Sequence, residues 1–345
     1  MLREPWSTPT GPSPASPSVP PTRSCEPSIR PDRLGSQPTS GGQVDDQQVD
    51  PYRSHSFEEL ASLSTVYRDD LFADRTVLVS GAAGGIGLAI ATLFGRLGAT
   101  IVTCGRDPEK LAAVEEQLGS IGVDCWSVPM TIREPDQVAD LMDRVWERQG
   151  GLDVLVNNAG GQFAAPSLDI SPKGWAAVVE TNLYGTWYMM QEAGRRWIAD
   201  EGGEHRPLGT VPDRSVVNIS TLTGRGSVGI PHTNAARAGQ IQLTKSLALE
   251  WAPHGIRANA VAVGVVQSPG LVNYPPEARP SFDHNPQRRL GDVHDIAQAA
   301  VYLSASSGDY ITGTVLEVAG GEGIWGEYWA IGKPDWYLID ERPEA

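Results

Sequence analysis

The sequence predicts a doubly wound parallel α/β fold, one sheet with helices on both faces, formed by a single domain over residues 70–322. Three observations predict it. Short β-rich runs alternate with helical stretches across that span, the order that builds a parallel sheet. The run 153–157 is nearly continuous Val and Leu, as in a strand covered on both faces. The helix before it carries Val138, Leu141, Met142, Val145 and Trp146 at i, i+3, i+4 and i+7 spacing, the stripe of a helix packed on a sheet.

The first strand is expected at 76–80, followed by a glycine-rich turn and a helix through Ile86, Ile90, Leu93 and Leu97. A second strand at 100–104 leads to a helix at 107–118, and a third strand lies at 123–128. Later strands read at 215–219, 257–263 and 314–318, with helices at 172–199, 233–252 and 292–305. The last helix opens on Asp292 and Asp295, carboxylates suited to the positive end of a helix dipole.

Outside this span the texture changes. Residues 1–55 are rich in Pro, Ser, Thr and Gly with few large aliphatics, so they are expected to form a disordered extension that cannot offset its ordering entropy by burial. The extension lacks the apolar core of a secretory signal, and Glu4, Glu26, Asp32, Asp45 and Asp46 speak against a transit peptide. Residues 201–214 read as an exposed insertion, and 269–289, with Tyr274-Pro275-Pro276, as a substrate-covering lid. The tail 323–345 carries Trp325, Tyr328, Trp329, Trp336 and Tyr337, expected to pack over the lid or on another subunit.

A net charge of −15 repels nucleic acid and anionic membrane surfaces. No run of 18 or more apolar residues exists, so no membrane span is expected. Cys25, Cys104 and Cys125 follow no metal-ligand spacing and are odd in number, so neither a metal site nor a disulfide framework is expected. The chain ends Arg342-Pro343-Glu344-Ala345, unlike a peroxisomal Ser-Lys-Leu address; the cytoplasm is the expected location.

Ser80-Gly81-Ala82-Ala83-Gly84-Gly85-Ile86-Gly87 joins the first strand to the first helix. Glycines there let the backbone turn tightly and approach a pyrophosphate, which the helix N-terminus attracts through free N–H groups and its dipole. A tight turn with no ligand is the bland reading of the same residues. Asn157-Asn158-Ala159-Gly160 follows the fourth strand, and Asn182 stands in a Thr-Asn-Leu context. In that order, and with Gly-x-x-x-Gly-x-Gly spacing, these motifs resemble the short-chain dehydrogenase/reductase superfamily. The resemblance implies a Rossmann-type fold and a nicotinamide cofactor, with Ser80, Gly81, Gly85, Ile86, Gly87, Asn158, Ala159, Gly160, Gly264 and Ser268 in the cofactor site.

That family usually holds the NAD ribose diol with an Asp at the end of the second strand. Here the stretch is Thr103-Cys104-Gly105-Arg106. The fork of Arg106 can bind a 2′-phosphate where a carboxylate would repel it, so NADP(H) is the expected cofactor. NAD(H) stays open if Arg106 is only a solvated helix-start residue. The Asp usual near the adenine is Thr131, and the usual Pro before the Gly264 position is Val263.

The family's active site pairs a Ser with a Tyr-x-x-x-Lys. Ser220 ends the fifth strand; thirteen residues on comes Thr233, and four beyond it Arg237. Both Tyr and Lys are replaced. An aliphatic hydroxyl is a far weaker acid than a phenol, whose pKa is about 10, and Arg does not relay protons at neutral pH. The set Asn182, Ser220, Thr233 and Arg237 therefore suits hydride addition to an activated double bond, with hydroxyls steadying the resulting enolate oxygen. Arg237 also faces the nicotinamide ribose by this resemblance. His232 and His254 read as surface or helix-end residues, and Lys245 as a surface residue.

Gly161-Gln162-Phe163, the segment from Ser171-Pro172-Lys173-Gly174-Trp175 to Glu180-Thr181-Asn182-Leu183, and Ala235-Ala236-Arg237-Ala238-Gly239 look like the peroxisomal trans-2-enoyl-CoA reductase group and its bacterial relatives. That branch includes proteins associated with 2,4-dienoyl-CoA reduction and acyclic terpenoid breakdown. The implied function is NADPH-dependent reduction of a trans-2-enoyl-CoA by a homodimer or homotetramer, the partner being a small-molecule acyl (CoA) substrate. An alcohol or 3-oxoacyl oxidoreductase, and a dinucleotide-binding protein without catalysis, are the alternatives.

Overall fold

A computed structural model describes residues 54–273 and 285–324. Seven strands form one fully parallel sheet: β1 (Thr76–Ser80), β2 (Thr100–Gly105), β3 (Cys125–Pro129), β4 (Val154–Asn157), β5 (Arg214–Thr221), β6 (Ile256–Val263) and β7 (Val315–Val318). Their spatial order is β3-β2-β1-β4-β5-β6-β7. Each β2–β1 and β1–β4 partner is parallel, so the chain reverses its direction of travel across the sheet between β1 and β4. At such a switch point the loops beyond the strand C-termini diverge and leave a crevice.

The helices are α1 (Phe57–Ser62), α2 (Gly85–Arg96), α3 (Pro108–Ser120), α4 (Pro135–Gln149), α5 (Pro172–Val179), α6 (Gly185–Asp200), α7 (Pro231–Trp251) and α8 (Val293–Ser304). Side chains alternate across each strand, and the alternation splits the core in two. Val77 and Val79 of β1 pack with Ile90, Leu93 and Phe94 of α2 and with Ile296 and Val301 of α8. Leu78 faces the other way, toward Leu141 and Met142 of α4, Met189 and Trp197 of α6, and Trp251 of α7. Both faces are covered, which is why β1, β4 and β6 are buried along their whole length. Trp197 donates its indole N–H to the Leu152 carbonyl at 2.6 Å, so the large ring is buried without an orphaned donor.

The predicted strands and the doubly wound order are borne out. Three local differences have physical causes. The stretch expected as one helix over 172–199 is α5, a π-helical turn at Glu180–Tyr184, and α6. The unexpected α1 is a six-residue helix closed by a capping box between Ser56 and Glu59, with Phe57 and Leu60 buried. The expected insertion at 201–214 is exposed but tethered: Arg206 pairs with Glu201 at 2.7 Å and Asp213 at 2.8 Å, and its N–H meets the Pro253 carbonyl at 2.9 Å.

Of the expected lid, Pro269–Asn273 is a 3-10 turn; Tyr274, Pro275 and Pro276 lie outside the described residues, as do residues 1–53, Cys25 and the aromatic tail from Trp325 onward. Cys104 and Cys125 are free thiols, both pushed up to about 12 by burial, which keeps them protonated and unreactive. Among the described residues no helix is long and apolar enough to cross a membrane.

Candidate active site

The loops after β1 and β4 are clipped together at the switch point. The Ser80 hydroxyl is fully buried and accepts N–H bonds from Asn158 at 3.1 Å and Ala159 at 3.0 Å. The Asn158 amide returns bonds to the Ser80 and Gly81 carbonyls at 3.1 and 3.0 Å. Ser80 and the Asn158 side chain are thus internal braces between these two loops.

Glycine is required at three positions of that loop. Gly81 has φ +72° and Gly85 φ +55°, the left-handed region that disfavours a side chain. At Gly87 a Cβ would stand 2.3 Å from the Gly81 carbonyl oxygen and 2.5 Å from the Asn158 amide nitrogen. Helix α2 starts with no side-chain cap and no acidic residue in its first turn. The N–H groups around Gly85, Ile86 and Gly87 are left for an anion. A dinucleotide pyrophosphate fits this cradle, and Ser268 borders it: its Cβ would be 3.7 Å from a Cβ at Gly85. Gly264 sits farther along, at the end of β6, where a Cβ would be 2.8 Å from that of Ala319. Arg106 follows β2, exposed, with no hydrogen-bond or ion-pair partner among the described residues. Thr131 has its N–H taken by the Gln137 side chain at 2.9 Å.

The catalytic candidates converge on the other wall of the crevice. Asn182 lies in the π-helical turn, fully buried. Its amide nitrogen donates to the Gly161 carbonyl at 2.7 Å and to that of Val178 at 3.0 Å, and its oxygen accepts the Gly161 N–H at 3.2 Å. It therefore holds the chain just past Gly160. At Gly160 a Cβ would fall 2.2 Å from a guanidinium nitrogen of Arg237 and 2.7 Å from the Asn182 oxygen. The glycine is the floor on which Arg237 lies.

Arg237 donates from Nη1 to the Ile219 carbonyl at 2.6 Å and to the Gln240 side-chain oxygen at 3.1 Å. Among the described residues no carboxylate pairs with it. Burial brings its pKa down to about 10, so it remains a cation at neutral pH. Ser220, at the β5 terminus, reaches the Arg237 carbonyl at 3.5 Å. Thr233 lies one turn before Arg237 on α7, its side chain buried, with its Oγ1 3.5 Å from His232 Nδ1.

Two residues of this wall escaped the sequence reading. Gln240 and Thr186 are fully buried. Gln240 donates to Thr186 Oγ1 at 3.0 Å, and Thr186 donates to the Asn182 carbonyl at 3.2 Å. A polar chain thereby links Arg237 to Asn182. The only hint was Gln240 standing three residues past Arg237, hence on the same helix face. His232 is near the helix start, as expected, but it is fully buried rather than at the surface. Lys245 is exposed as expected. Replacing Gln240 with Leu strips a partner from both Arg237 and Thr186; the expected loss is about 1–3 kcal/mol of stability, read by urea unfolding, with NADPH affinity weakened several-fold.

Residues 81–322 match the family described as enoyl-(acyl carrier protein) reductase. The chain belongs to the short-chain dehydrogenase/reductase family. Among curated members it is 31% identical over 264 residues to a peroxisomal 2,4-dienoyl-CoA reductase of Danio rerio, covering 74% of this chain and 84% of that protein. It is 35% identical over 266 residues to a glucose 1-dehydrogenase of Gluconobacter oxydans, covering 75% and 96%. A solved structure of a citronellol catabolism dehydrogenase from Pseudomonas aeruginosa superposes with a TM-score of 0.65 at 29% identity, over 75% of this chain and 98% of that one. The chain is thus a short-chain dehydrogenase/reductase, an oxidoreductase whose family uses a nicotinamide dinucleotide.

Proposed function

We propose that this short-chain reductase uses NADPH to reduce the double bond of a trans-2-enoyl-CoA thioester, as a cytoplasmic homo-oligomer. The observation that carries the reading is the cation at Arg237, seated against Gly160 and paired with no carboxylate among the described residues, beside a threonine where a phenol would serve a ketone. Bound NADPH supplies the hydride.

The residues divide the remaining work. The α2 N-terminus and Gly81, Gly85 and Gly87 hold the pyrophosphate, and Ser268 closes over it. Arg237 donates to the nicotinamide ribose and supplies positive potential near the reacting carbon. Ser220 and Thr233 hydroxyls donate to the thioester oxygen, where negative charge collects as the β-carbon receives hydride. Asn182 keeps the Gly160-Gly161 wall in place. Protonation then occurs on the α-carbon, from water. Around the crevice mouth Phe163, Leu168, Trp175 and Val228 are exposed apolar side chains, and the two loops that bear Phe163 and Val228 are joined by the Ala165 N–H to the Gly229 carbonyl at 3.0 Å. Such a rim suits an acyl chain.

Steady-state NADPH oxidation across enoyl-CoA chain lengths tests the reading; no turnover at any length would remove it. The likeness to sugar and terpenoid dehydrogenases supports a second reading, an alcohol or 3-oxoacyl oxidoreductase, which requires turnover of ketones or alcohols by the unmodified site. Under the favoured reading, ketone reduction appears only when Thr233→Tyr and Arg237→Lys are introduced together.

Arg106 carries the cofactor preference. The Arg106→Asp variant is expected to bind NADPH at least about tenfold more weakly while NADH affinity holds or rises, since a 2′-phosphate loses a charge-assisted fork and meets a carboxylate. Fluorescence titration with both nucleotides checks it.

A further inference from the structure

We infer that His232 donates its Nε2–H to the thioester oxygen of the bound acyl substrate, alongside Thr233, which holds the position of the missing phenol. The inference rests on the enoyl thioester reading and adds a third donor to the Ser220 and Thr233 hydroxyls.

His232 is the second residue of α7, immediately before Thr233. Its Nδ1 accepts the Thr233 backbone N–H at 2.9 Å, which leaves the proton of the neutral ring on Nε2. Among the described residues that buried Nε2 has no hydrogen-bond partner, and the whole residue is fully buried. Buried donors of a folded protein are nearly always paired, so an orphan beside a reaction centre marks a group whose partner arrives later.

The covering of the ring shows where that partner enters. Phe163 meets His232 edge-on with ring centroids 4.6 Å apart, and Trp175 lies at 6.3 Å. Both are themselves partly exposed at the crevice rim. Phe163 lies two residues past Gly161, in the segment that Asn182 fixes and on which Arg237 rests. The donor thus sits beneath an aromatic cover, on the wall that carries Arg237. A thioester that displaces the cover meets a pre-oriented N–H in surroundings that exclude water, where a hydrogen bond to developing charge is strongest.

The electron count is simple. The β-carbon gains hydride from NADPH, the double-bond pair moves toward the thioester, and negative charge appears on its oxygen. The Nε2–H bond of His232 stays intact and donates to that oxygen. The α-carbon then takes a proton from water and the thioester carbonyl is restored.

The test compares the NADPH-bound wild type with His232→Phe, His232→Asn and His232→Gln. Phe removes the donor, Asn moves it to the δ position, and Gln puts an N–H where Nε2 stood. With crotonyl-CoA, kcat is expected to fall about 100-fold in H232F and H232N and to recover to within about tenfold of wild type in H232Q. NADPH affinity stays within about twofold throughout, and butyryl-CoA binds the NADP-loaded H232N about tenfold more weakly. A kcat for H232N within threefold of wild type, or an H232Q no better than H232N, overturns the role of His232 while wild-type turnover leaves the reductase reading standing. Wild type that binds NADPH but reduces no enoyl thioester removes the reading and this inference together.

Discussion

Replacing Arg237 with Met is expected to lower kcat/KM for an enoyl-CoA by about 10²–10³-fold while the protein without cofactor stays as stable as before or becomes more so. The activity loss follows from removing the cation that rests on Gly160 and faces the crevice. The stability result follows from linkage. Burial lowers the Arg237 pKa from its ordinary value to about 10. Between those two values the unfolded chain holds a proton that the folded chain has released, so this group makes stability rise with pH across that window. Below it, neutral pH included, both states carry the charge and the folded state bears the full desolvation cost. That cost is roughly 3 kcal/mol at 1.36 kcal/mol for each pKa step. Loss of the bonds to the Ile219 carbonyl and Gln240 offsets part of it, leaving a net gain of about 0–2 kcal/mol. Urea unfolding of the R237M variant measures the balance; a loss above about 2 kcal/mol contradicts it.

The second large effect belongs to Gly87. An alanine there places its methyl 2.3 Å from the Gly81 carbonyl oxygen and 2.5 Å from the Asn158 amide nitrogen. The first neighbour is backbone in a loop already turned through positive φ at Gly81, and the second is the clip between the β1 and β4 loops. Neither can yield without moving the cradle. Overpacking of this kind costs about 1–3 kcal/mol, and a displaced set of N–H donors is expected to weaken NADPH binding by about 100-fold. Calorimetric titration of Gly87→Ala checks it. Wild-type affinity in that variant would place the pyrophosphate elsewhere.

The parts of this protein that sequence reasoning reached are those where burial on two sides leaves a continuous signature. Val154, Leu155 and Val156 have no polar face to obscure them, and the glycines of the β1–α2 turn announce a close backbone approach. Helix α1 escaped because six residues carry only two apolar anchors, Phe57 and Leu60, too few for a period to show. The π-helical turn escaped because one widened turn hardly shifts a helical stripe, yet it is what carries Asn182 to Gly161.

The polar chain through Gln240 and Thr186 was hidden for another reason. Polar residues on a helix resemble a solvated face until a second helix buries them, and only the packing of α6 against α7 brings these two within 3.0 Å. His232, read as a surface or helix-end residue, does open α7; its burial was hidden on the same ground. The pattern says that a histidine opens α7; it does not say that Phe163 and Trp175 close over it.

The central claim is that this altered site sends hydride to carbon across a double bond and not to a carbonyl. NADPH deuterated at the transferable position, incubated with the protein and crotonyl-CoA or acetoacetyl-CoA, tests it directly by NMR of the products. The account predicts deuterium on the β-carbon of butyryl-CoA and no labelled product from acetoacetyl-CoA. Deuterium on the carbinol carbon of 3-hydroxybutyryl-CoA, with crotonyl-CoA untouched, would contradict it.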